Sequence, residues 1–194
     1  MKKVSIWNPK GGQGKSMLAI NLAAAAIDIG LEPLVICQDK QGTSTLFHKN
    51  GNLNFEVVQE IPRHKPKGID LVLIDHMAAD WSAPPCNTVV IPTKPVRSDY
   101  ATFSDALQIL KKAQKRAIKV VTDGNMSRKT EADTVAALKK IGVFEIRSSV
   151  AFPKAAEEYR SIFDKSLNRV NKIKSRRMEV NAILTAILNE EEYT

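Results

Sequence analysis

A lysine and a serine follow directly on a glycine cluster at Gly11-Gly12-Gln13-Gly14-Lys15-Ser16. Glycines let successive backbone N–H groups turn inward around phosphate oxygens, and a helix beginning near Lys15 adds the positive end of its dipole. From that offset Lys15 can reach the β and γ phosphates of a nucleotide, and the Ser16 hydroxyl can ligate Mg²⁺. A plain glycine turn capping a helix is the alternative, and it has no need of the Lys-Ser pair. Asp75 closes an apolar run over residues 69–74, where the carboxyl end of a strand would aim it into a ligand crevice to hold the metal's water shell. Asp39 follows another apolar run, amid Gln, Thr and Ser, where it can lie across the crevice and orient an attacking water. At both positions a turn-forming Asp is the bland alternative.

These groups converge only if the segments around them are strands and helices of one sheet. Residues 4–7 are an apolar run before the glycine loop, and residues 17–29, rich in Ala and Leu, read as the helix after it, ended by Gly30. Apolar runs at 34–37, 69–74, 88–91 and 118–122 read as buried strands, and 143–146 as a short one. Helical segments are expected over 98–116, 130–141, 154–163 and 178–188, while residues 48–68 show no clear period and are expected to be surface structure. The alternation predicts an α/β fold with a mostly parallel twisted sheet flanked by helices, and the glycine loop between the first strand and helix makes it a single-domain P-loop NTPase over residues 1–194.

With 194 residues, 43% hydrophobic and 26% charged, the chain can bury one ordinary core, and extensive disorder is not expected. No window approaches the roughly 18 consecutive apolar residues of a membrane span, and residues 1–4 run into a strand without a secretory hydrophobic region. A cytoplasmic protein is therefore expected. Cys37 and Cys86 lie far apart without metal-ligand spacing and are expected in the core. The excess of 29 Lys and Arg over 21 Asp and Glu, a formal charge of +8, favours polyanionic partners without proving them, so placement must decide.

Two basic groups stand out. Lys111, Lys112, Lys115, Arg116 and Lys119 surround the end of a predicted helix, where cations also complement the dipole. Arg169, Lys172, Lys174, Arg176 and Arg177 form a denser run whose intervening residues carry no aromatic ring, so phosphate contact is indicated and base stacking is not. A solvated charged face is the alternative for this run. His76, next to Asp75, is expected as a surface or satisfied core histidine rather than a pocket residue.

The segment 8–16 closely resembles the deviant Walker A motif, KGGxGK[ST], of the ParA/MinD family of P-loop ATPases, especially the small ParA partition ATPases. Residues 39–44 resemble that family's switch I, residues 70–75 its Walker B strand, and residues 89–95 its following strand and proline-containing loop; beyond residue 120 the likeness is one of layout. The resemblance implies ATP and Mg²⁺ as cofactors, with nucleotide held by Lys10, Gly11, Gly12, Gln13, Gly14, Lys15, Ser16 and Met17. It implies Ser16, Asp39 and Asp75 around the metal and Lys10, Lys15 and Asp39 in hydrolysis, Lys10 reaching across an ATP-sandwiched homodimer to the partner's phosphates. It further implies nucleoid association through nonspecific DNA contacts at Arg169, Lys172, Lys174, Arg176 and Arg177, and a centromere-binding adaptor that stimulates ATP hydrolysis and release.

Departures are Cys37, where an Asp is common, Lys40 in place of a switch I proline, and His76-Met77-Ala78, where many members have Thr-Pro-Pro. They leave the phosphate and Mg²⁺ groups intact and bear on hydrolysis rate and switch response. Positioning of a protein cargo is an alternative that shares the mechanism. A MinD-like membrane switch is disfavoured by the acidic end Glu190-Glu191-Glu192-Tyr193-Thr194, and an iron–sulfur ATPase by the placement of the cysteines. No helix-turn-helix segment precedes the first strand, so sequence-specific operator reading is not expected.

Overall fold

Strands with helices on both faces read as uninterrupted apolar runs, because neither face meets water. Such runs recur in the computed structural model, which describes residues 1–39, 43–50, 52–62, 64 and 66–189. Strands β2 (Pro33–Cys37), β4 (Leu71–Asp75) and β5 (Thr88–Thr93) are buried throughout, and β1 (Lys2–Ile6) is buried from Val4 onward. With β3 (Glu56–Val58), β6 (Arg116–Gly124) and β7 (Phe144–Arg147) they form one seven-stranded sheet in the order β3-β2-β4-β1-β5-β6-β7. Every pairing is parallel.

Alternate residues of each strand serve opposite layers. Val35 and Val90 belong to the layer beneath helix α1 (Lys15–Asp28) and α6 (Ile173–Leu188), which pack on each other. Val89 and Ile91 point into the layer under α3 (Arg97–Lys112) and α4 (Lys129–Lys139), while Leu34, Ile36, Val72 and Ile74 pack with Cys86 of the loop after β4. Cys37 and Cys86 are both buried in the core, as expected, and are not paired in a disulfide. Leu18 to Ala26 of α1 are buried all round, which its run of alanines permits by allowing close approach.

The predicted fold class holds, and several boundaries move. The segment 48–68, expected as surface structure without a clear period, contains the end of α2 (Thr43–Asn50) and β3. The helix expected over 154–163 is α5 (Ala151–Glu157), which starts early because Pro153 is tolerated in a first helical turn and stops where Tyr159 takes φ 52°. Helix α6 begins at Ile173 rather than 178, drawing Lys174, Arg176 and Arg177 into its first turns. Strand β6 runs past Thr122 through a register shift at Asp123, whose φ is 58°. Of the first basic group, Lys111 and Lys112 occupy the last turn of α3, whereas Lys115, Arg116 and Lys119 donate to the carbonyls of Pro85, Ala186 and Ile141.

His76 is a satisfied core residue: it is buried and its Nε2 lies 3.0 Å from the Ser5 hydroxyl. Burial, aided by the charge of Lys15 and opposed by Asp80, lowers its pKa from 6.5 to about 4. The unfolded chain takes up this proton first, so stability is fully present above pH 6.5 and declines as pH falls toward 4, at about 1.4 kcal/mol per pH unit. Urea unfolding followed from about pH 7 to about pH 5 should show that slope, and His76→Gln should flatten it. An unchanged slope in the variant would assign the pH dependence to other groups.

Candidate functional site: a phosphate loop at the sheet edge

The parallel register places the chemistry at one edge. Asp75 pairs with Ile6, the last residue of β1, and with Cys37, the last of β2, so the glycine loop, Asp75 and Asp39 all leave the sheet at its carboxyl end. In the loop, Gly12 has φ 72° and Gly14, the N-cap of α1, has φ 87°, backbone conformations that side chains rarely adopt. At Gly12 a Cβ would meet nothing within 4 Å, so conformation alone demands glycine there. No side chain caps α1 and its first turn holds no acid, which leaves its amides to an anion.

Lys15 is buried, and its Nζ donates to the carbonyls of Asn8 at 3.0 Å and Lys10 at 3.2 Å, curled inside the loop. Burial lowers its pKa, while Asp75 and Asp39 pull it back up. An incoming phosphate offers this ammonium a charged acceptor in place of two neutral carbonyls. Asp75 is also buried; its Oδ2 accepts from the Ser44 hydroxyl at 2.7 Å, and its Oδ1 has no hydrogen-bond partner among the described residues. Burial raises its pKa against hydrogen bonds from Ser44 and Ser16 and the charge of Lys15.

That orphaned oxygen and the Ser16 hydroxyl are hard donors suited to Mg²⁺. Among the described residues no cluster of three His, Cys, Asp or Glu could hold a metal alone. Asp39 is half-buried and acts electrostatically on both Lys15 and Asp75, which puts it on the same crevice. Lys40, Gln41 and Gly42 of the switch-like segment, like the acidic residues 190–194, lie outside the described residues.

Lys10 does not share the interior of the loop with Lys15. Its Nζ stands 2.5 Å from Asp99 Oδ1, at the start of α3. The buried Asp99 carboxylate also accepts from Gln13 Nε2 at 2.8 Å and Ser98 Oγ at 3.0 Å. Burial works against ionisation here, but the bonds from Lys10, Gln13 and Ser98 outweigh it and lower the Asp99 pKa. Gln13, expected among the nucleotide ligands, turns its side chain beneath the loop: Nε2 also reaches the Gly11 carbonyl, and Oε1 accepts from Lys94 N–H at 2.9 Å.

Asn8 stitches the loop to β5, donating to the Pro92 carbonyl at 2.7 Å and accepting from Lys10 N–H at 2.8 Å. Sequence reasoning assigned nothing to Asn8, Ser44 or Asp99. Asn8, directly after the strand, and Asp99, in the first turn of a helix, follow the ordinary preferences of turns and caps, which name no distant partner.

A cavity of about 930 Å³ opens on Gly12, Gly14 and Met17 and is walled by residues 122–127 and 146–150. The second basic run divides. Arg169, Lys172 and Lys174 are exposed, but Arg177 donates to the carbonyls of Ile162 and Asp164 and lies over the Phe163 ring. Arg176, expected at a DNA-facing surface, is 2% exposed and pairs with Glu179 at 2.9 Å, because the earlier start of α6 rotates it inward.

This is the architecture of a P-loop NTPase. The chain belongs to the CobQ/CobB/MinD/ParA nucleotide binding domain family, whose sequence model matches residues 4–162. No curated protein sequence matches it.

Three solved structures illustrate the fold. A Borrelia burgdorferi B31 protein described as a plasmid partition protein, bound to AMPPNP, is 15% identical over 95% of this chain and 98% of its own, with a TM-score of 0.71. An ATP complex of Cyanothece McdA is 14% identical over 100% and 99%, with a TM-score of 0.71. MinD from Aquifex aeolicus is 15% identical over 98% of each chain, again with a TM-score of 0.71.

Lys15→Ala removes the buried cation from the phosphate cradle. Titration with a fluorescent adenine nucleotide and Mg²⁺ should show affinity falling by about ten- to hundredfold. Unchanged affinity would place the phosphates outside this loop.

Proposed function

We propose that the chain is a partition-type ATPase in which Mg-ATP joins two copies into a sandwich, the dimer holds DNA without sequence preference, and a centromere-binding adaptor stimulates hydrolysis and release. The observation that carries this reading is Lys10: a second loop lysine, its side chain 35% exposed, kept at the rim by Asp99 rather than inside the cradle. Moving from Asp99 to a partner's phosphates exchanges one charge-assisted bond for another. In this reading Lys15 neutralises the phosphates, Asp39 orients the attacking water, and Ser16 and Asp75 hold the Mg²⁺, which when bound screens the phosphate charge. The loop backbone around Gly11, Gly12, Gln13 and Gly14 supplies N–H donors, with Met17 on the cavity wall.

Arg169, Lys172 and Lys174 are the cations of the C-terminal run that stand at the surface, and they support DNA contact through phosphates. Arg176 is withdrawn from that face, and Arg177 keeps its charge but has Nε and Nη2 engaged by the carbonyls of Ile162 and Asp164. Among the described residues no helix is long and apolar enough to cross a membrane.

Binding to an unrelated duplex should be tight and salt-sensitive with Mg-ATP and weak with Mg-ADP or no nucleotide. Arg169→Ala combined with Lys174→Ala should reduce the log–log salt slope by about 2, roughly 0.9 per lost phosphate contact. If no nucleotide state binds duplex DNA, the partition reading fails while nucleotide binding stands.

A further inference from the structure

The cavity that opens on the glycine loop reaches the N-terminal end of α6, where Lys172, Ser175 and Arg176 line it. At about 930 Å³ it lies near the upper end of small-molecule sites, which run to roughly 1,000 Å³. The α6 terminus is 16 residues of helix entered through Lys172 at φ 59°, without a side-chain cap and without an acid in the first turn. The Ile173 N–H is taken by the Val170 carbonyl, but the positive end of the helix dipole meets no side-chain cap and no acid.

A helix end alone would be content with water, but Arg176 is a second and independent feature. Its side chain is 3% exposed, Nη2 is taken by Glu179, and Nε is buried with no hydrogen-bond partner among the described residues. Leaving a buried guanidinium donor unused is costly, and such groups call for an acceptor. Arg147 enters the same cavity from the end of β7, its backbone N–H held by Glu179 Oε2 at 3.1 Å and its Nε 3.3 Å from Glu145 Oε1, with its side chain half exposed. The charged residues of the lining are Lys94, Arg147, Lys172 and Arg176 against Asp123 alone, and Lys94 already lies 3.9 Å from that carboxylate.

We propose that this end of the cavity is a second phosphate site, separate from the glycine loop, in which Arg176 Nε and the positive end of the α6 dipole bind a phosphate group that Arg147 and Lys172 screen at the mouth. The phosphate belongs to a small molecule. It is carried either on the sugar of the nucleotide that the glycine loop holds or on a separate phosphoanion beside that nucleotide. The inference is independent of the partition reading, which duplex binding tests separately.

Calorimetry on the full chain with AMP and with adenosine 3′,5′-bisphosphate reads the first source. Inorganic phosphate titrated into ADP-saturated protein reads the second. One of the two should give a clear signal: bisphosphate preferred over AMP by at least about tenfold, or saturable phosphate uptake. The signal should vanish in Arg176→Met and in the surface pair Arg147→Ala with Lys172→Ala, the latter keeping the test open if the buried substitution impairs folding. Equal affinity for the two nucleotides together with no phosphate uptake overturns the site, as does a signal that survives the paired substitution.

Discussion

A buried carboxylate organises the loop that carries the chemistry. Asp99 collects Lys10, Gln13 and Ser98, and an acid in that position needs such donors to remain ionised. Through Gln13 the bracing continues to Gly11 and to the backbone of Lys94, and the Gln13 carbonyl in turn accepts from Thr122 of β6. Asn8 adds the tie to Pro92. The loop between β1 and α1 is thereby fastened to β5, α3 and β6, so its glycines hold their left-handed geometry before any phosphate arrives. A cradle ordered in advance has little conformational entropy left to lose on binding.

The two loop lysines divide the labour by burial. Lys15 is enclosed and bonded to carbonyls that a phosphate would outcompete, whereas Lys10 sits at the rim on a neighbouring element's acid. Beyond the loop, the cationic lining extends along the cavity to α6, and part of the chain's net charge of +8 is spent there rather than on an outer face. The exposed part of the C-terminal basic run is correspondingly smaller than a count of basic residues between 169 and 177 suggests. With 14–15% identity to the three solved relatives, such surface distinctions must be argued from this chain's own side chains.

Much of this was legible in the residues. The strand, glycine loop and helix from residue 2 to 28 announce themselves through local signals: an apolar run, glycines at strained positions and an alanine-rich helix. Asp75 was readable because a carboxylate ending a buried strand has few other uses beside such a loop. Asp99, Ser44 and Asn8 were not, since their roles come from partners 31 to 89 residues away that no local pattern names. The short β3 escaped because three residues of alternating burial on a sheet edge leave almost no periodic trace. Arg176 looked like a surface cation because the start of α6 was placed five residues late, and on a helix that error changes which face a residue occupies.

In the proposed mechanism Lys10 leaves Asp99 to complete an ATP-bound pair of subunits. Sedimentation velocity of the wild-type chain and Lys10→Ala, each in Mg-ATP and in Mg-ADP, tests it most directly. The wild type should be a dimer in Mg-ATP alone, and Lys10→Ala, still binding nucleotide, a monomer throughout. A Lys10→Ala dimer in Mg-ATP, or a wild-type chain indifferent to the nucleotide, would contradict it.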